Sequence, residues 1–162
     1  MIIPMLREQL PQRLQEMVIS TLRLDVATPE HEVMKASFEA VRAHDAWKDA
    51  EKVEKLFDKY LGGGFAVTGA RDTLVALTLG QVEEMFISAS EQDVRDDLTG
   101  KDAELIPGLP EDVEGNGWAR SAAIADELVA RARQTDAGVT FIEDAARLAS
   151  CGGAGAKLRF RL

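Results

Sequence analysis

The most informative stretch of the sequence is Gly152-Gly153-Ala154-Gly155-Ala156-Lys157-Leu158-Arg159-Phe160-Arg161-Leu162. A glycine-rich turn leads directly into an alternating run that we predict to be a strand over residues 156–161. Because side chains alternate across a strand, Lys157, Arg159 and Arg161 share one face, and the apolar residues between them share the other. A glycine loop that cradles phosphate opens a helix instead. The order turn-then-strand therefore predicts a structural turn and not a nucleotide site.

The residues before this stretch alternate between helical and extended patterns. We expect strands at 65–68, 82–88 and 138–142, helices at 71–79 and 118–134, and a helical turn at 144–148. The continuous apolar run Met85-Phe86-Ile87 indicates a strand that is buried on both faces. This alternation predicts a mixed sheet flanked by helices.

The first 60 residues are predicted to form a helical extension, and residues 61–162 the α/β domain. Apolar spacing favours a helix over 5–24 that begins or kinks near Pro11. Thr28-Pro29-Glu30 is a good start for a second, long helix. We expect that helix to run to about Tyr60, before the glycines at 62–64. The abrupt apolar start suggests a chain cut from a longer protein.

Charge is distributed unevenly. The chain carries a net charge of −9, and residues 91–114 hold nine acids against Arg95 and Lys101. With its prolines and glycines, the segment 89–116 is expected to be a solvated, peripheral insertion. The acidic balance argues against broad electrostatic binding of nucleic acid. No uncharged apolar run approaches the roughly 18 residues of a membrane-spanning helix.

Few residues offer chemistry. His31 and His44 lie thirteen residues apart on the predicted long helix, about 20 Å at the helical rise, so they cannot share a metal. Cys151 is the single cysteine, which excludes an intramolecular disulfide and favours a reducing cytoplasm; we expect it to be a small buried thiol. The sequence offers no nucleophile–base pair. We therefore expect no enzyme activity, no metal and no cofactor.

Three stretches, in order along the chain, resemble the third, C-terminal domain of class-1 peptide-chain release factors of eukaryotes and archaea, and of their paralogue pelota. The first runs from 64 to 88 and contains Ala76-Leu77-Thr78-Leu79-Gly80 before a strand, and the second pairs Leu128-Val129 with the strand at 138–142. The third is the glycine turn and the run Leu158-Arg159-Phe160. The match is closest to bacterial members. The motif residues that this resemblance implies to be structural are Gly69, Leu74, Leu77, Gly80, Val82, Gly152, Gly153, Gly155, Leu158 and Phe160.

The resemblance implies the fold of ribosomal proteins L30e and L7Ae, a three-layer α/β/α sandwich around a small mixed sheet. In the family, an insertion follows the second strand, as residues 89–116 do here, and in some relatives it holds a zinc-binding cysteine cluster. This insertion has no cysteine, so no metal is carried over. The run Gly62-Gly63-Gly64-Phe65 is not the catalytic Gly-Gly-Gln tripeptide, because no glutamine follows.

By resemblance, this is a non-catalytic domain that docks a translational GTPase or the ribosome in termination, rescue or hibernation. The alternative is an L7Ae-like domain that binds structured RNA. The acidic balance weighs against that alternative, as does the single arginine in residues 68–72. Lys157, Arg159 and Arg161 are either a row of partner contacts or are paired with neighbouring acids, and both interpretations stay open.

Overall fold

The computed structural model describes residues 7–111 and 117–160, which fall into two compact units, Met1–Asp49 and Ala50–Leu162. In the first unit, helix α1 (Gln12–Glu16) begins directly after Pro11. The prediction of a helix over 5–24 is wrong for its second half, because residues 18–25 are not helical. Apolar residues there, such as Ile19 and Leu22, are exposed. A helix without tertiary packing is marginal in water, which explains the difference.

Helix α2 (Glu30–Leu61) has 32 residues. It begins where the Pro29 carbonyl accepts hydrogen bonds from the amides of Glu32 and Val33, and it ends before Gly62, as predicted. Its two buried residues are Val53 and Leu56. Both belong to the second unit, so the last turns of α2 pack with the α/β fold. The sequence predicts the boundary between the two domains later, between residues 60 and 61.

Four strands form one sheet in the order β1-β4-β2-β3. They are β1 (Ala66–Thr68), β2 (Val82–Ser88), β3 (Gly138–Ile142) and β4 (Ala154–Leu158). Strand β4 is antiparallel to both of its neighbours, and β2 and β3 are parallel. The predicted last strand, 156–161, is displaced, because pairing begins at Ala154 immediately after the turn and ends at Leu158.

Helices cover both faces of the sheet. Helices α3 (Ala70–Thr78) and α4 (Gly117–Gln134) bury apolar side chains against one face, where Met85 and Ile87 of β2 point. The end of α2 and the short helix α5 (Ala145–Leu148) lie on the other face, around Phe86. This is the predicted three-layer α/β/α sandwich with a small mixed sheet.

The acidic insertion contradicts our expectation of a solvated loop. Its described part contains two short 3₁₀ helices, Glu91–Asp93 and Gly100–Leu105. Between and after them, Val94, Leu98 and Ile106 are buried in the core that α3 and α4 build. Composition hid this role because the three apolar residues are spaced among acids.

Two arginines of α4 contact one acid and two backbone carbonyls of the insertion. Arg120 Nε lies 2.5 Å from Asp96 Oδ2, and its Nη1 donates to the Pro110 carbonyl at 2.6 Å. Arg131 donates to the Leu105 carbonyl. The insertion is therefore attached to α3 and α4 by packing and by hydrogen bonds. Residues 112–116 of the predicted insertion lie outside the described part of the chain.

Candidate docking site

Four lysines gather where the end of α2 meets the sheet. Lys52, Lys55 and Lys59 lie on one face of α2, since residues three, four and seven positions apart share a helix face. Lys157 of β4 joins them. Together they line a cavity of about 400 Å³, which we call the lysine cavity.

The lysine cavity has an apolar floor formed by two buried side chains, Leu56 of α2 and Phe86 of β2. Gly155 of β4 allows the helix to approach this closely. A Cβ atom at Gly155 would lie 3.0 Å from Leu56 Cδ2 and 3.1 Å from the Val67 carbonyl oxygen. A side chain there would force the end of the Leu56 side chain to shift by a few tenths of an ångström and so change the shape of the floor.

Carboxylates hold three of the ammonium groups in place. Lys52 Nζ lies 3.0 Å from Glu84 Oε1 and donates to Thr140 Oγ1 at 3.1 Å. Lys157 Nζ lies 2.6 Å from Glu83 Oε1. Lys55 forms an exposed pair with Glu51 one helical turn away, at 2.7 Å. These pairs orient the lysines around the cavity, although exposed pairs add little stability.

Lys59 differs from the other three lysines. Within the described part of the chain, its exposed ammonium group has no carboxylate within 4.0 Å. It nevertheless affects the pKa of Glu83, which lies below its ordinary value. The main cause is the hydrogen bond from Lys157, and the positive charges of Lys59 and Arg159 lower this pKa further. Cations from α2 and from the end of β4 thus form one positive region.

The predicted contact row is only partly assembled. Lys157 lines the cavity. It is paired with Glu83, as expected from the interpretation that these cations pair with neighbouring acids. Arg159 follows β4, is exposed and donates from Nη2 to the Asp136 carbonyl at 2.5 Å. Arg161 lies outside the described residues. The three lysines of α2 were not predicted as site residues. Their spacing of three and four residues places them on one helix face but does not by itself mark that face as a site.

The predicted motif residues lie in the core, at turns or, in the case of Phe160, at the surface. Leu74, Leu77, Val82 and Leu158 are buried, whereas Phe160, on the predicted apolar face of the last strand, is 43% exposed. Gly69 and Gly80 flank α3, and Gly152 and Gly153 form the turn before β4. Gly153 has φ +81°, and a Cβ atom there would lie 2.1 Å from the Asp93 carbonyl oxygen. This turn therefore requires glycine because the insertion packs directly against it.

The N-terminus of α3 is already occupied by a carboxylate of the same chain. Asp97 Oδ1 accepts a hydrogen bond from the Arg71 amide at 2.8 Å. The Arg71 guanidinium in turn lies 2.6 Å from Asp102 Oδ2. Since helix N-termini attract anions, Asp97 fills the place that a phosphate would need. The one arginine in 68–72 is thus engaged by the acidic insertion.

The described residues offer little catalytic chemistry. His31 and His44 lie on the first half of α2, in the first unit. Cys151 is buried, and desolvation raises the pKa of its thiol to about 11, against a weaker opposing hydrogen bond with Ser150. No three His, Cys, Asp or Glu side chains in the described ranges are grouped so that they could hold a metal ion.

Fold and cavity together define a small α/β/α domain with a charged recess beside one helix. The same fold is found in the C-terminal domain of a peptide chain release factor from Methanosarcina mazei, at a TM-score of 0.56 and 18% identity over 85% of this chain and 99% of that domain. It is found again in Pelota from Archaeoglobus fulgidus, at a TM-score of 0.51 and 18% identity. That match covers 85% of this chain but 39% of Pelota, so this chain corresponds to less than half of that protein.

Other comparisons give no match: no protein-family model and no curated protein matches the sequence. Among the described helices, none combines the length and the apolarity that crossing a membrane requires. The likeness to the two solved structures therefore concerns the fold.

Proposed function

We propose that this chain is a non-catalytic docking domain of a bacterial release-factor-like protein. It acts in the cytoplasm, in translation termination, ribosome rescue or ribosome hibernation. Its partner is a translational GTPase or the ribosome. The observation that carries the proposal is the fold shared with the release-factor domain over 99% of that domain. Four apolar motif residues around α3 and β4 support it, because Leu74, Leu77, Val82 and Leu158 are buried in the core.

Two features favour docking over the alternative of RNA binding. The first is the engaged N-terminus of α3, where Asp97 and Asp102 hold Arg71. The second is that the acidic insertion lies beside this end of the helix, so a nucleic-acid backbone would meet like charge there. Cys151 favours docking over enzyme activity, because its raised pKa keeps the side chain in the unreactive thiol form.

The test is affinity capture from a bacterial lysate with the tagged chain, with and without ribonuclease. We expect translational GTPases or ribosomal proteins to be recovered and identified by mass spectrometry. The identified component is then purified and its binding measured directly. The tag alone is the control for background. Absence of both classes of protein would contradict the proposal.

The same experiment addresses the alternative. If the isolated chain binds a structured RNA tightly at physiological salt, while no GTPase or ribosomal protein binds without RNA, the domain is an RNA-binding module. Measurement at two salt concentrations is needed, because phosphate contacts lose affinity steeply as salt rises.

A further inference from the structure

The lysine cavity gathers cations within an acidic protein. Its lining holds four lysines and two carboxylates, Asp58 and Glu84, a sum of +2 in a chain of −9. Two of these lysines, Lys55 and Lys157, are paired with Glu51 and Glu83 just outside the lining. Glu84 is engaged by Lys52 and Thr140. Lys59 remains available at the rim, since it is exposed and has no carboxylate within 4.0 Å in the described part of the chain.

The lining disfavours nucleic acid as the occupant. Recognition of phosphate and of bases typically uses arginine forks and exposed aromatic faces. The described lining contains lysines and no arginine, and its one aromatic side chain, Phe86, is buried and cannot stack on a base.

The size and the floor favour a short peptide. A volume of about 400 Å³ accommodates a few side chains, since pockets for drug-sized ligands measure roughly 300–1,000 Å³. The floor of Leu56 and Phe86 is apolar, and the rim is cationic. The complementary ligand therefore has an apolar side chain at its centre and carboxylates on either side.

We infer that the lysine cavity binds an acidic segment of a partner protein, in which carboxylates flank one apolar residue. The carboxylates contact Lys59 and the neighbouring lysines, and the apolar side chain enters above Leu56 and Phe86. The inference rests on the proposed function only for the identity of the partner, which would be the docked translation protein. The chemistry of the segment follows from the cavity itself.

The experiment is an NMR titration of the full chain with the capped peptide acetyl-Glu-Asp-Leu-Asp-Glu-amide. The isosteric neutral control is acetyl-Gln-Asn-Leu-Asn-Gln-amide. We expect the acidic peptide to shift the backbone amides of Leu56, Glu84 and Lys157, and the neutral one to leave them unchanged. Shifts confined to other parts of the chain, or equal shifts with both peptides, would overturn the inference.

Matched variants sharpen this test. Lys59→Gln should weaken peptide binding roughly two- to fivefold, the range expected for one exposed ion pair. Lys59→Arg, which keeps the charge, should bind as the wild type does. Lys101→Gln is the control, because Lys101 is exposed and lies in the insertion. Both positions are exposed, so folding should persist, as the amide spectrum will show. Equal weakening at both sites would refute a specific cavity contact.

Failure of this inference can be told apart from failure of the proposed function. Specific peptide binding without recovery of GTPases or ribosomes from lysate would keep the cavity assignment and refute the translational partner. Recovery of those partners that Lys59→Gln leaves unchanged, without peptide binding, would refute the cavity assignment and keep the proposed function. Larger chemical-shift changes of the same amides with an RNA oligonucleotide than with the peptide, at physiological salt, would also refute the peptide as the ligand.

Discussion

At the scale of single residues, the core of the sandwich depends on side chains that α3 buries. Leu77 follows Leu74 by three positions, and both are fully buried. We predict that Leu77→Ala lowers the free energy of unfolding by about 2–5 kcal/mol, the usual cost of a cavity at a buried leucine. Leu79→Ala removes the same atoms from a side chain that is 50% exposed, and should cost about 1 kcal/mol or less. Urea unfolding of both variants is the measurement, and equal losses would contradict the assignment.

Cys151 gives the fold a pH dependence in the alkaline range. Burial raises its pKa from 9.0 to about 11, so the native state holds its proton at a pH where the unfolded chain has lost it. The stabilisation is complete below pH 9 and is lost as pH rises towards 11. We predict a fall in the free energy of unfolding across this interval that is shallower in Cys151→Ala. Parallel pH profiles of the two proteins would show that the thiol does not contribute.

At the scale of elements, the acidic insertion is part of the core. Ile106 is buried against α3 and α4, and Ile106→Ala should therefore cost about 2–5 kcal/mol of unfolding free energy. Glu104→Ala, on the exposed side of the same segment, should change stability by no more than about 0.5 kcal/mol. Thermal or urea unfolding distinguishes the two. A negligible effect at Ile106 would restore the solvated loop that the composition suggested.

The elements also show what a sequence of this kind can and cannot reveal. Strands β2 and β3 and the end of α2 were predictable, because apolar runs and glycine stops are local signals. The helix over 5–24 was not, since its apolar spacing has no surface to pack against in the described structure, and exposed residues such as Leu22 show this. The burial of Val94 was hidden for the opposite reason: its partners on α3 and α4 are distant in sequence.

The candidate site was predictable only in part for the same physical reason. Lys157 stood out because it belongs to an alternating strand, and Arg159 because it follows. The contribution of α2 needed the packing of that helix on β4, which brings Leu56 close to Gly155 and is a contact between residues distant in sequence. A helix face of three lysines is usually a solvated surface, so spacing alone does not select it as a site.

At the scale of the whole molecule, the net charge of −9 conceals a separation of sign. Two acidic residues of the insertion, Asp96 and Asp102, are paired with arginines of α4 and α3. On the other side of the molecule's charge balance, Lys59, Lys157 and Arg159 form a positive region around Glu83. Electrostatic steering by such a region changes the rate of association more than it changes the equilibrium affinity. The orientation in which a partner meets the domain should therefore depend on the lysine side of the sheet.

We predict that Arg159→Glu slows association with a translational GTPase or the ribosome and weakens the dependence of that rate on salt. The decrease should be roughly two- to fivefold, corresponding to the loss of one exposed charge contact worth up to ~1 kcal/mol. Arg133→Glu is the matched control, because Arg133 is exposed in the last turn of α4 and the change alters net charge equally. Stopped-flow or surface-plasmon measurements at two ionic strengths give the rates. If the two variants slow association equally, net charge governs the encounter and the positive region has no directing role. If neither does, the partner docks elsewhere on the domain.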